Sequence, residues 1–206
     1  MDIQNLAQPR RSSPGIAMQG IAIVATILVT GFATAAPVTY ELDPEHTFPS
    51  FEADHMGISV WRGKFNRTSG TLTVDREAGT GRVEAAVDMT SVDFGHDEMN
   101  THAKAPDFFD VAKFPQASYT GTLERFVEGV PTHVDGELTL HGVTRPVALK
   151  VNSFKCIPHP LHKRELCGAD ALATFDRDDF GLTAGKDYGF DMSVTVRIQM
   201  EAVVPE

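Results

Sequence analysis

The chain has 206 residues, with 28 Asp and Glu against 18 Lys and Arg, for a formal charge of −10. That acidic balance excludes nucleic acid and anionic lipid surfaces as electrostatically held partners, and it leaves apolar ligands open. The length suits one domain plus an extension.

The extension is N-terminal. Arg10 and Arg11 precede an apolar run over residues 16–36, whose heart is 20–32, and Ala33-Thr34-Ala35 supplies a small-x-small site. Basic, then apolar, then small is the order of a secretory signal peptide. Residues 1–35 are therefore expected to be cleaved before Ala36, leaving 36–206 as an exported domain with no stable membrane insertion. An uncleaved anchor is the alternative, because the run approaches the length of a bilayer span, although Gln19 interrupts it. Ser12-Ser13-Pro14 fits a twin-arginine signal poorly. Cleavage removes Asp2, Arg10 and Arg11, leaving 27 acids against 16 Lys and Arg, a formal charge of −11. About 170 residues remain, ample for one core.

Residues 38–42 alternate weakly and predict a first strand. Pro44 and Pro49 make 43–50 irregular, and 51–57, with Phe51, His55 and Met56, predicts a short helical turn. Residues 59–65 place Trp61, Gly63 and Phe65 on one face and Arg62 and Lys64 on the other. Residues 70–75 repeat the pattern through Leu72 and Val74. After the turn 78–81, Val83, Ala85, Val87 and Met89 share a face. This period of two marks strands with one face toward a core and one toward water.

Residues 96–115 break the pattern. A polar run with helical character, 96–104, precedes an apolar knot around Phe108 and Phe109. Pro106 suits the first turn of a second short helix, and Asp107 and Asp110 favour its N-terminal end. Two adjacent phenylalanines on so short an element need cover from something larger, so this stretch is expected to form the lid or mouth of a barrel.

Alternation then strengthens. Tyr119, Gly121 and Leu123 share a face, as do Val134, Gly136, Leu138 and Leu140, then Val147, Leu149 and Val151, with 142–146 as a tight connection between the last two sets. Ala169, Ala171, Ala173 and Phe175 form another face. The last is the clearest, running from Phe190 and Met192 through Val194, Val196, Ile198 and Met200. About eight strands and no long amphipathic helix result. One wet face per strand excludes a parallel sheet covered on both sides. Eight antiparallel strands close into a barrel that holds one small ligand, or pack as a sandwich that holds none. One Trp and three Tyr are too few for the aromatic girdles of an outer-membrane barrel.

Cys156 and Cys167 are the two cysteines. Export to an oxidising compartment makes a disulfide between them the expectation. Closing so short a loop contributes about 3 kcal/mol by chain entropy. A thiolate site with His159 or His162 is the alternative, and its spacing matches no standard zinc pattern.

Several motifs resemble one family. His46-Thr47-Phe48 with Phe51 and His55, then Gly63-Lys64-Phe65, is similar to the opening of the YceI-like family. The similarity continues through Asn100-Thr101-His102, Asp107-Phe108-Phe109-Asp110-Val111 and Lys113-Phe114-Pro115. It extends to the segments 138–146 and 175–182. The resemblance implies an all-β, lipocalin-like, extended eight-stranded antiparallel barrel with short helices at the mouth, exported to the periplasm. It also implies an amphiphilic ligand with a long isoprenoid or acyl tail inside. Two departures stand out: Glu98-Met99-Asn100, where the family often has an Arg-Asp pair, and the insert 157–166.

The residues expected to contact such a tail are Phe48, Phe51, His55, Met56, Phe65, Met89, Phe94, Met99, His102, Phe108, Phe109, Phe114, Tyr119, Phe175, Phe180, Phe190 and Met192. Adaptable Phe- and Met-rich walls suit a flexible chain, and each buried methylene contributes roughly 0.8 kcal/mol. The expected partner is this lipid, with no other cofactor; a homodimer is left open. His46, His55, His96 and His102 are expected to converge at the barrel mouth. The rival reading is a metal- or haem-associated redox partner using these histidines, although His-x-x-x-His is absent. No catalytic role is assigned: Gly-x-Ser-x-Gly is absent, and Asp176, Asp178 and Asp179 read as Asx-type turn caps.

Overall fold

Each alternating segment finds two neighbours in a computed structural model, which describes residues 36–206. The expected signal segment 1–35 lies outside the described residues. Among those described, no helix is long and apolar enough to cross a membrane. The strands are β1 (Val38–Leu42), β2 (Phe48–His55), β3 (Ser59–Phe65), β4 (Thr68–Asp75), β5 (Thr80–Asp88) and the two-residue β6 (Val92–Asp93). A helix, α1 (Asp97–Ala103), separates these from β7 (Gln116–Glu124), β8 (His133–Leu140), β9 (Val143–Pro146), β10 (Leu149–Pro158), β11 (Glu165–Asp176) and β12 (Ser193–Val203).

All pairings are antiparallel. The circuit β1-β4-β5-β7-β8-β10-β11-β12 returns to β1, giving a closed barrel of eight strands. The long strand β12 makes closure work. Its lower end pairs with β1, Leu42 opposite Ala202, and its upper part pairs with β2, Val194 opposite Ala53. The irregular segment containing Pro44 divides this edge into two strands. β3 and β6 extend the sheet beyond β2, and β9 folds back on β8.

Four local expectations are corrected. Residues 51–55 are strand rather than helical turn, because β2 has hydrogen-bonded partners on both sides, and pairing overrides the local pattern. Met56 and Gly57 form the hairpin tip, both with positive φ, and Asp54 accepts the Gly57 N–H at 3.0 Å. The second helix expected from Pro106 is a run of turns, with Asp110 at φ 45°. Residues 142–146 are not a bare connection, since Val143–Pro146 pairs with β8. At the turn after β11, Asp176 makes no side-chain cap, and Asp178 instead binds Lys186 Nζ at 2.6 Å.

The first helix forms as expected. His96 is its N-cap, with Nδ1 accepting the Met99 N–H at 3.4 Å. Asn100 ties it to the barrel by accepting the Phe94 N–H at 2.7 Å and donating to Asp93 at 3.2 Å.

Apolar packing fills the two ends differently. One end, formed by β1, β4 and the lower parts of β10–β12, is packed by Tyr40, Leu42, Leu72, Val74, Phe154 and Cys167. There Cys156 and Cys167 are register partners and form the disulfide. At the other end Phe109, Met89, Val92 and Leu182 pack with Ala103 of α1.

Candidate ligand-binding cavity

Alternation turns one face of every barrel strand inward, and the inward side chains are mostly aliphatic or aromatic. They leave a cavity of about 790 Å³ running toward the end capped by α1. Its wall takes Phe51, Phe65, Met89, Phe94, Met99, Phe108, Phe109, Tyr119, Phe175 and Phe190 from the expected set, together with His55 and His102. The aromatic cluster is continuous: Phe51 lies 5.6 Å from Phe65, 5.3 Å from Phe94 and 6.3 Å from Phe109 between ring centroids.

Five expected contacts lie off this wall. Phe48 is three residues from Phe51 on one strand, so alternation sends it outward, where the Lys64 ammonium covers its ring at 4.7 Å. Met56 is on the exposed hairpin tip. Phe114 packs on the outer side against His141, centroids 4.3 Å apart. Phe180 is buried behind Phe175 in a separate apolar cluster with Val147 and Ala173. Met192 is buried just before β12 without reaching the cavity.

Other wall residues were not among the expected contacts. Trp61, Ala85 and Ala171 share strand faces with Phe65, Val87 and Phe175, so parity alone could have found them. Small side chains such as Ala85, Ala169 and Ala171 leave the room. Arg177 and Tyr188 carry no such signal, since both belong to the irregular chain between β11 and β12. The Arg177 guanidinium is buried, and burial pushes its pKa below the ordinary value. It donates to the carbonyls of Leu182, at 2.6 Å, and Ala184, at 2.5 Å, which folds this segment over the mouth.

The mouth is polar only in patches. Asp54, His55, His102 and Asp107 reach it, and the His55 ring stacks on Trp61 at 4.3 Å, 8° from parallel. The four histidines expected together do not converge. His96 caps α1 on the surface, while His46 stands beside Glu201 and its Nδ1 contacts Asp43 at 2.7 Å. Thr47 meets Glu201 and Ala53 meets Val194 on β12, a separation of seven residues, or roughly 23 Å. Among the described residues, the one grouping with metal-ligand atoms in mutual reach is Asp43, His46 and Glu201, on the outside of the barrel.

Comparison with known proteins agrees with this geometry. "Protein YceI" of Salmonella arizonae and of Salmonella heidelberg are each 36% identical over 165 residues, covering 80% of this chain and 85% of theirs. A polyisoprenoid binding domain from Saccharophagus degradans superposes with a TM-score of 0.60 at 20% identity, over 82% of this chain and 99% of that one. BcnA of Burkholderia cenocepacia gives 0.61 at 18% identity, over 78% and 99%. The YceI-like domain model matches residues 40–204, essentially the whole barrel, and the chain belongs to the YceI-like family.

Proposed function

We propose that this chain is an exported binding protein that holds the tail of an amphiphilic isoprenoid, polyprenyl or quinone-like, or of a fatty-acyl lipid, in the barrel interior. Its role is sequestration or transport in the periplasm. The observation that carries this is the cavity of about 790 Å³ with an almost wholly apolar wall. A flexible tail gains roughly 0.8 kcal/mol for each methylene removed from water, so such a wall binds firmly with few polar contacts. The fold shared with a neighbour described as a polyisoprenoid binding domain supports the same reading. No nucleophile stands paired with a base on the cavity wall among the described residues, and the reading is binding rather than catalysis.

The test is mass spectrometry of an organic extract from protein purified out of the periplasm without detergent. A single prenyl or acyl species near one per chain is expected. A well-folded protein that carries no lipid and takes none up, or one with a Soret band or stoichiometric metal, would overturn it.

A further inference from the structure

Two loops flank the cavity mouth and leave large apolar side chains in water. The tip of the β2–β3 hairpin carries Met56, 53% exposed, Ile58, 78% exposed, and Val60, 48% exposed. The loop before β12 carries Tyr188, which is 81% exposed yet also lines the cavity. The loops are neighbours: Phe190 meets His55 at 5.1 Å between ring centroids, and the Asp191 N–H reaches Asp54 at 3.4 Å. His55 and Trp61, at the two feet of the hairpin, both line the cavity. His55 and Trp61 carry the cavity wall up to the hairpin, so Met56, Ile58 and Tyr188 border its rim, while Val60 lies on the outer face of β3.

We propose that this rim is a docking surface for a phospholipid bilayer of zwitterionic lipid, which the hairpin tip and Tyr188 enter so that the mouth opens into the membrane interface. The inference rests on the lipid-binding reading above, because a water-insoluble tail then passes between bilayer and cavity without crossing water. Three observations select this occupant. Three side chains on two loop tips offer a few hundred Å² of apolar surface, well short of the roughly 800 Å² per partner that a stable protein interface needs. The patch is a projecting tip rather than a flat face, with aliphatic side chains beside a tyrosine, the composition of an interfacial anchor. The chain is acidic, with a formal charge of −10, so attraction to anionic lipid is not the driving force.

Trp61 is the single tryptophan of the chain and reports on the rim directly. The protein from an exporting host is mixed with phosphatidylcholine vesicles that carry brominated acyl chains, and Trp61 fluorescence is followed. Quenching is expected in the parent, little changed by salt. Ile58→Asp with Tyr188→Ser should weaken partitioning about tenfold or more, the loss expected from two anchoring side chains. Leu161→Ser is the control, since Leu161 is 80% exposed at the opposite, disulfide-bearing end; it should leave quenching unchanged. Ala171→Phe fills the cavity, or Ala171→Met where the ring prevents folding, and quenching should persist. No quenching in the parent overturns the proposal. So does quenching that the cavity variant abolishes and the rim variant leaves intact, because the lipid would then be entering the barrel without docking. A parent that sediments as a dimer, becomes monomeric in the rim variant and is never quenched assigns the patch to a second copy instead. Failure of the lipid-binding reading looks different: the parent carries no extractable lipid and takes up none that is added, whether or not Trp61 is quenched.

Discussion

The ring of Tyr119 lies against Gly136 so closely that a Cβ at position 136 would stand 2.5 Å from the phenol oxygen and 2.6 Å from the Thr120 carbonyl oxygen. The missing side chain lets Tyr119 lie flat along the wall and donate to the Val147 carbonyl at 2.9 Å. Gly136→Ala should destabilise the barrel by about 1–3 kcal/mol through overpacking, and should push the ring into the cavity. Tyr119→Phe keeps the ring and loses the bond, at about 1 kcal/mol. Urea unfolding of both variants checks the ranking, and equal losses would mean the hydrogen bond, not the close approach, is what matters.

Phe108 and Phe109 both line the cavity, but Phe109 is buried in the cluster beneath α1 and contacts Phe51, Phe65 and Phe108. Phe109→Ala should therefore cost about 3–5 kcal/mol. Phe108→Ala, at a half-buried position, should cost clearly less and act mainly on lipid retention. Melting temperature and extractable lipid, measured on each single variant, separate the two roles.

Tyr40 is fully buried and donates to Glu165 at 2.7 Å. Burial, reinforced by the bond to Glu165 and its charge, pushes the phenol up to about 12, from an ordinary value near 10. The folded state thus favours the neutral phenol. The stability this supplies is complete below pH 10 and is lost as pH rises from about 10 through about 12. Tyr40→Phe should be less stable than the parent at pH 8, and the gap should close across that window. Denaturant midpoints against pH follow it, and a gap that stays constant to pH 12 would contradict the assignment.

The disulfide joins two strands already paired in register, with ten residues of hairpin between the cysteines. Cys156→Ser should lower the unfolding free energy by about 3 kcal/mol, the loop-closure value. The bound lipid should be unchanged, because neither cysteine lines the cavity. Calorimetry and lipid extraction on the same sample test both halves.

Much of the architecture was written in the sequence. Period-two patterning placed the strands and their inward faces, from Val83 and Ala85 to Met200, because alternation along an extended chain is local and any one-sided sheet enforces it. The adjacency of Phe108 and Phe109 on so short an element also marked them for cover by the barrel, and both line its cavity. What pattern could not supply was each segment's neighbour. Phe51 and Phe48 look alike in sequence, yet pairing of β2 between β12 and β3 turns one inward and the other out under Lys64. Phe175, near the end of β11, and Phe180, in the turn that follows, are both aromatic, and only packing with Val147 and Ala173 removes Phe180 from the wall. Arg177 and Tyr188 reach the mouth because the chain between β11 and β12 folds back over it, held by carbonyls several residues ahead. The sequence by itself determined which residues alternate and that they form a one-sided antiparallel sheet. The tertiary structure alone decided where β12 closes on β1, which aromatics meet across the cavity, and which loops form its rim, since these depend on pairings between segments as far apart as Leu42 and Ala202.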